Sequence, residues 1–321
     1  MESPLRIGTR GSRLAIFQAE SVASRLREVH PGLEVRIEEF RTAGDRDGAT
    51  ALSRLPGVGF FVKELEAALL EGRIDLAVHS FKDVPTAVPE GLAVGAAVPG
   101  REDPRECLVT PAGLHLADLP PGATVGSSSP RRRAMMLAAR PDLAFVDLRG
   151  NVETRLRKLE AGACQATVLA RAGLVRLGLL DRRMVVLGTD VLMSAAGQGA
   201  LGLECRADDD RVRQLAAPLD HAPSRWAVMA ERALVRRLGA GCRTPLGSLG
   251  RVDAAGQLVL DAWLLAPDGR GSLRRRATGR ADEAERVGRA LAEELLAAGA
   301  ARFLGRAGPP ADAAEDGTGY A

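Results

Sequence analysis

The sequence has few aromatic residues, one tyrosine, two tryptophans and seven phenylalanines, 3% of 321 positions. Proteins that hold single-stranded nucleic acid stack its bases on aromatic rings, and here no aromatic interleaves with the arginines. An excess of one charge sign is also missing: 44 Lys+Arg face 41 Asp+Glu, a net charge of +3. Bulk charge therefore favours neither nucleic acid nor a membrane surface, and any basic site must be local. No stretch approaches the roughly 20 apolar residues of a membrane helix, and the run Met1-Glu2-Ser3-Pro4-Leu5-Arg6 has no apolar secretory core. A cytosolic protein without membrane or nucleic-acid partners is expected. Cysteine is scarce too: Cys107, Cys164, Cys205 and Cys242 lie 57, 41 and 37 positions apart, without the close pairs of zinc sites or redox motifs. No metal is expected, and a reducing compartment suits these thiols. Cys107, Cys164 and Cys205 read as small buried hydrophobes.

The length suits two or three compact units. Across 5–200, short apolar runs such as Ile74-Asp75-Leu76-Ala77-Val78 and Ala166-Thr167-Val168-Leu169-Ala170 alternate with helical stretches, which predicts α/β with a largely parallel sheet. Phe61, Leu65 and Leu69 form the apolar stripe of one such helix. Pro99-Gly100, Pro120-Pro121-Gly122, Pro218 and Pro223 punctuate the chain. Beyond about 220 the pattern becomes a helix (Trp226, Ala230, Ala233, Leu234, Leu238), β-like runs near 246–252, 257–265 and 272–279, and a helix carrying Val287, Leu291 and Leu295. That is a small α+β domain. From Gly308 the chain is small, polar and rich in Pro and Gly, so it is expected to stay disordered. No repeat of fixed period is present.

Basic residues concentrate at turns. Gly8-Thr9-Arg10-Gly11-Ser12 follows the first strand, and Ser12 can cap the first helix, whose unpaired N–H groups attract anions. Val125-Gly126-Ser127-Ser128-Ser129-Pro130-Arg131-Arg132-Arg133 repeats this logic, with proline at the first helical position. A third turn is Leu148-Arg149-Gly150-Asn151, followed by Arg155. Between 127 and 158 eight basic residues face three acidic ones, a local net charge of +5. Arg133, Arg140, Arg157 and Lys158 read as a solvated face. Arg131, Arg132, Arg149 and Arg155 lie at or just past strand ends, where open α/β sheets bind ligands, and an arginine fork holds a carboxylate bidentately. A polycarboxylate or phosphate ligand is expected.

Together with those turns, His79-Ser80-Phe81-Lys82-Asp83-Val84-Pro85, Gly197-Gln198-Gly199-Ala200, and Glu231-Arg232-Ala233-Leu234 leading to Gly241-Cys242-Arg243-Thr244-Pro245-Leu246-Gly247 are similar to the signatures of the porphobilinogen deaminases, in order over most of 5–305. The resemblance implies two type II periplasmic-binding-protein-like α/β domains around a cleft plus a small α+β C-terminal domain: 1–98 with 199–219, 99–198 and 220–305, then a tail at 306–321. It implies a transferase, expected as a monomer, that joins four porphobilinogens into hydroxymethylbilane on a dipyrromethane cofactor held by a thioether to Cys242. Each substrate loses ammonia to give an electrophilic azafulvene. Every pyrrole carries an acetate and a propionate, which explains the arginines.

Residue by residue, the resemblance makes Asp83 the catalytic carboxylate. Ser12, Lys82, Asp83, Ser128, Ser129, Arg131, Arg132, Arg149 and Arg155 would hold the cofactor, and Arg10, Gln18, Arg149, Arg155 and Arg176 the substrate. Thr42-Ala43-Gly44-Asp45 to Gly57-Val58-Gly59 matches a mobile loop over the cleft, with Val58 where the family commonly has lysine. Ala240, Thr244 and Ser194 replace a usual glycine, valine and proline. The rival readings are a non-catalytic two-lobed anion-binding protein, which has no use for Cys242 or a third domain, and an RNA binder using Arg131 to Arg133.

Overall fold

The computed structural model describes residues 3–40, 62–95, 97–241 and 243–304. The loop from Thr42 to Gly59 with Val58, Cys242 and the tail at 306–321 lie outside the described residues. The chain begins with β1 (Leu5–Arg10), α1 (Arg13–Val29), β2 (Val35–Phe40), α2 (Lys63–Leu70), β3 (Leu76–Ser80) and β4 (Leu92–Val94). It continues through β5 (Glu106–Val109), β6 (Thr124–Gly126), α3 (Pro130–Ala139), β7 (Ala144–Val146), α4 (Val152–Glu160), β8 (Ala166–Ala170), α5 (Arg171–Arg176) and β9 (Met184–Val186). After β10 (Leu201–Arg206) and α6 (Asp210–Ala216) come α7 (Ala222–Leu238), β11 (Leu246–Val252), β12 (Gln257–Leu265), β13 (Ser272–Arg280) and α8 (Ala284–Ala297).

The strands form two five-stranded sheets, β2-β1-β3-β10-β4 and β7-β6-β8-β5-β9, and one three-stranded sheet, β11-β12-β13. The two larger sheets share one plan. In each, the second strand pairs parallel with its neighbours on both sides, and the fourth runs antiparallel to both of its neighbours. This is the doubled, two-lobed plan expected of type II binding-protein domains. The chain leaves the first sheet after β4 and returns as β10, so it crosses between lobes twice. The duplication is one of topology, and a search for a fixed sequence period cannot find it. Gly8 of β1 and Gly126 of β6 occupy matching places, each in register with the second residue of the parallel neighbour, Ala77 of β3 or Thr167 of β8. A Cβ on Gly8 would meet Ile74 Cδ1 at 2.3 Å, and one on Gly126 would meet Cys164 Sγ at 2.7 Å.

Local sequence explains the helices flanking these sheets. Ser12 accepts the Ala15 N–H at 3.3 Å and caps α1, no glycine or proline interrupts the helix, and Ala15, Ala19, Val22, Ala23 and Leu26 form its buried face. Ser129 caps α3, which has Pro130 in its first turn. The stripe residues Leu65 and Leu69 are buried on α2, while Phe61 lies outside the described residues. The third unit is an antiparallel meander whose buried face α7 and α8 cover, as the change of pattern near 220 predicted. Its core is continuous with Phe81 and Val84 of the first lobe, and its Leu249 and Leu265 pack with Met135 and Met136 of the second.

Beneath β3 and β10 lies a cluster the sequence did not announce. His79 Nε2 lies 2.9 Å from Glu204 Oε2, both buried, and Glu66 on α2 faces them half-buried. Burial, reinforced by the Glu204 charge, raises Glu66 to about 6 against the lowering effects of His79 and Lys63. The folded state thus holds this proton more tightly than the unfolded chain. The stability it confers is present at low pH and lost as pH rises through about 6. Glu66→Gln is expected to stabilise the protein by about 1 kcal/mol at pH 7.5, partial exposure being discounted, and to change nothing at pH 4.5. Urea unfolding at both pH values checks this; an equal effect at the two would refute it.

Candidate active site

The turns that end β3, β6 and β7 meet where the two lobes face each other. The first is a single 3-10 turn, Phe81–Asp83. The second runs through Ser127-Ser128-Ser129 into α3, and the third through Leu148-Arg149-Gly150-Asn151 into α4, where Asn151 Oδ1 accepts the Thr154 N–H at 2.9 Å. Arg13 of α1 and Glu153 of α4 approach to 3.7 Å across the gap. Gln198, buried on the second crossing, accepts from Lys82 Nζ at 3.2 Å and donates to the Pro104 carbonyl at 2.7 Å. It ties the first lobe's turn to the start of the second lobe.

Charge dominates this region. Glu106 on β5 is fully buried; its Oε1 and Oε2 accept from Arg132 Nε at 3.1 Å and Nη2 at 2.7 Å, and Oε1 also accepts from Arg131 Nη2. Burial alone would raise this carboxyl, but Arg132 and Arg131 overrule it and hold Glu106 well below the usual carboxylate range. Arg131 also donates to the Met193 carbonyl. The two arginines expected to hold ligand carboxylates thus share an internal carboxylate and carry one net positive charge between them. Arg155 donates from Nε to the Gly150 carbonyl at 2.8 Å. Burial pushes its guanidinium down to about 10, Arg132 and Arg149 push the same way, and Asp83 and Glu106 oppose them. Enclosure by protein lowers Lys82 to about 8, with Arg132 and Arg131 adding to the drop and Asp83 and Glu106 resisting it. The Lys82 side chain still faces water, which tempers that drop and keeps the group mostly protonated at neutral pH.

Lys82, Asp83, Arg131, Arg132, Arg149 and Arg155 are therefore brought within one another's field, as expected of a single site. Two donors there have no acceptor: Arg149 Nη1 and Ser128 Oγ are buried without a partner. A buried unpaired donor costs about 1–3 kcal/mol, which a carboxylate ligand would recover. The other expected site residues are engaged within the protein. Ser12 and Ser129 cap α1 and α3. Gln18 exchanges hydrogen bonds with Ser80 Oγ at 3.0 and 3.2 Å. Arg176 donates to the Gly199 carbonyl at 2.7 Å. Arg10, half-buried, ends β1. Lys158, read as part of a solvated face, donates to the Arg149 carbonyl at 3.0 Å and so props that turn.

Sequence reasoning missed Glu106, Gln198 and the pair Glu231 and Arg232. The one signal for Glu106 was a carboxylate opening an otherwise apolar strand. Glu231 and Arg232 stood inside a quoted motif without a role. Of the cysteines, Cys107, Cys164 and Cys205 are buried. Burial pushes Cys107 and Cys205 up to about 11 and Cys164 upward, so none is a ready nucleophile. The chain around Cys242 is pinned on both sides: α7 ends at Gly239 in the left-handed conformation, and Thr244 Oγ1 accepts the Gly241 N–H at 3.2 Å.

Comparison with known proteins bears on this geometry. Residues 5–214 match the family model described as porphobilinogen deaminase, dipyromethane cofactor binding domain, and residues 226–297 match its C-terminal domain. The porphobilinogen deaminase of Syntrophotalea carbinolica is 50% identical over 302 residues, 94% of this chain and 95% of its own. That of Desulforudis audaxviator is 48% identical over 306 residues, 95% and 98% of the two chains.

The split between engaged and unengaged arginines is testable by stability. In a Cys242→Ser background, which keeps any covalent ligand out of the comparison, Arg131→Leu is expected to cost about 3–5 kcal/mol, because it strips a partner from buried Glu106. Arg149→Leu should cost nothing and relieve up to about 1–3 kcal/mol, since it removes a buried donor that has no acceptor. Denaturant unfolding measures both. Equal losses would show that the fold depends on Arg149 as much as on Arg131.

Proposed function

The chain belongs to the porphobilinogen deaminase family, and from that premise we propose that the cleft between its two α/β lobes is the active site, with Asp83 as the catalytic carboxylate. The enzyme is a transferase that condenses four porphobilinogens, with loss of ammonia at each coupling, into the linear tetrapyrrole hydroxymethylbilane. A dipyrromethane cofactor, held by a cysteine thioether, supplies the free pyrrole carbon to which the first substrate is joined. The matched C-terminal domain also sets aside a non-catalytic two-lobed anion binder, which has no third unit.

The observation that carries the site assignment is the pair of orphaned donors, Arg149 Nη1 and Ser128 Oγ, inside a cluster of cations. That donor set suits a ligand bearing several carboxylates. In this reading Cys242 anchors the cofactor, and Ser12, Lys82, Ser128, Ser129, Arg131, Arg132, Arg149 and Arg155 hold its acetate and propionate groups. Arg10, Gln18 and Arg176, with Arg149 and Arg155, meet the incoming substrate. Because Glu106 occupies much of Arg131 and Arg132, they contribute field and a fixed wall more than two open forks. Asp83 is the one expected site carboxylate among these cations. It accepts hydrogen bonds from pyrrole N–H groups and stabilises the positive charge that grows on a pyrrole as its ammonia departs. Water enters only to release the finished chain. The division 1–98 with 199–219, 99–198 and 220–305 goes with this reading, as do a monomer and a cytosolic location. Among the described residues no helix is long and apolar enough to cross a membrane.

Intact-protein mass spectrometry tests the anchor. Active protein is expected to exceed its sequence mass by about two pyrrole units, and Cys242→Ser to lack the addition; an adduct surviving in that variant would move the anchor elsewhere. Asp83→Asn removes the charge and keeps the shape, so turnover should fall roughly 10²–10³-fold in a folded, cofactor-bearing protein. Asp83→Glu should keep part of the activity. Near-normal porphobilinogen consumption by Asp83→Asn would end the catalytic assignment.

A further inference from the structure

The turn bearing Asp83 is gripped by a residue of the third unit that the proposed chemistry does not use. Arg232, on α7 and 3% exposed, donates from Nη1 to the Val84 carbonyl at 2.9 Å and from Nη2 to the Pro85 carbonyl at 2.6 Å. Its guanidinium carbon lies 4.8 Å from the centre of the Phe81 ring. One side chain therefore touches the residue before Lys82-Asp83 and the two residues after. The remaining attachments of the turn are fixed as well. Phe81 N–H donates to the Ala200 carbonyl at 3.0 Å, and Val84 N–H donates to the Phe81 carbonyl at 3.2 Å. Gly197 lies against the turn in the left-handed region, at φ 72°, where a Cβ would come within 3.1 Å of the Lys82 nitrogen. The backbone is thus held both before and after Asp83.

We propose that Arg232 is a positioning residue for the proposed reaction, fixing the place of the Asp83 carboxylate by clamping the backbone around it; the inference rests on the reading of Asp83 as catalytic. Three features favour this over simple packing. No carboxylate of the described residues lies within ion-pair distance of Arg232, and its Nε is buried without a partner. A buried cation satisfied only by two carbonyls and a ring face is an expensive way to fill space. The two carbonyls belong to consecutive residues, and only the planar fork of arginine reaches both at once; lysine would offer a single donor point. Finally, the neighbouring Glu231 fixes α7 to both lobe crossings. The helix then ends at Gly239, three positions before Cys242. One helix thus holds the turn bearing Asp83 and is itself fixed to both crossings, so the grip of Arg232 is backed by a rigid element.

The test is a double-mutant cycle on the full chain: wild type, Arg232→Gln, Asp83→Asn and the double variant, with cofactor content by intact mass, kcat and KM for porphobilinogen, and amide exchange of the 81–84 turn. Arg232→Gln is expected to keep the adduct, to quicken exchange at 81–84, and to lower kcat roughly 10²-fold, as misplacing a reacting group by about 1 Å does. Its KM should stay within about threefold of wild type, since Arg232 touches no substrate, and Arg232→Lys should restore part of kcat. In the Asp83→Asn background the same substitution should cost less than about threefold, because the group it positions has already lost its charge. An equal cost in both backgrounds, a loss expressed in KM, or a missing adduct overturns the proposal while leaving Asp83 catalytic. A fully active Asp83→Asn overturns both readings together. If Arg232→Gln does not fold, Arg232→Lys carries the same cycle.

Discussion

The structure is organised around a carboxylate buried where its three units meet. Glu231 is fully buried and accepts from Arg101 Nη1 and Nη2 at 2.7 and 3.1 Å, from the Gly197 N–H at 2.6 Å and from the Gly250 N–H at 2.7 Å. Arg101 lies on the first crossing between lobes, Gly197 on the second and Gly250 on β11 of the third unit. A carboxylate taken out of water is costly unless its partners are all present. Docking of the third unit and closure of both crossings are therefore satisfied together or not at all. Arg101 Nε also donates to the Gln198 carbonyl at 2.8 Å, and the Gln198 side chain holds Lys82, so the same junction sets the wall of the cleft.

Within the cleft a second buried carboxylate solves a different problem. A site for a polycarboxylate needs clustered cations, and clustered cations repel one another when no ligand is bound. Glu106 relieves that repulsion from inside the fold, locking Arg131 and Arg132 in place. Arg149 and Ser128 are left with unmet hydrogen-bonding capacity. In the proposed site, rigidity and affinity would thereby fall to different residues: the engaged pair keeps the shape, and the unpaired donors have most to gain from a ligand carboxylate.

Much of this was legible in the sequence wherever the cause was local. Ser12 and Ser129 cap helices because cap chemistry acts over three residues, and the meander of the third unit followed from strand-length apolar runs. The expected grouping of Arg131, Arg132, Arg149 and Arg155 likewise rested on a local cue, their places at or just past strand ends. What stayed hidden depends on partners far apart along the chain. Glu106 finds Arg131 and Arg132 25 and 26 positions away, Gln198 finds Lys82 across 116, and Arg232 reaches Val84 across 148. Nothing in a local window distinguishes these side chains from a solvated glutamate or arginine. The likeness of the two lobes left no repeat of fixed period for a related reason: β10 completes a sheet begun by β1, with the whole second lobe inserted between them.

The cysteines show how the fold restricts its own chemistry. A thioether requires a thiolate, and thiolate abundance is set by surroundings. Cys107 on β5 and Cys205 on β10 are core residues pushed up to about 11 by burial, which at pH 7 leaves about one thiolate in 10⁴. For Cys107 the neighbouring negative charge of Glu106 adds to that suppression. Cys164 is buried at the back of the Gly126 turn, where a Cβ on that glycine would strike it. The carboxylate that organises the arginines thus also helps keep an adjacent thiol protonated. Priming at one place is what a chain-building enzyme needs, because a second primer would compete for the same cations. Confining Cys107, Cys164 and Cys205 to the cores of the two lobes keeps three thiols out of that competition and accords with the proposed anchor at Cys242.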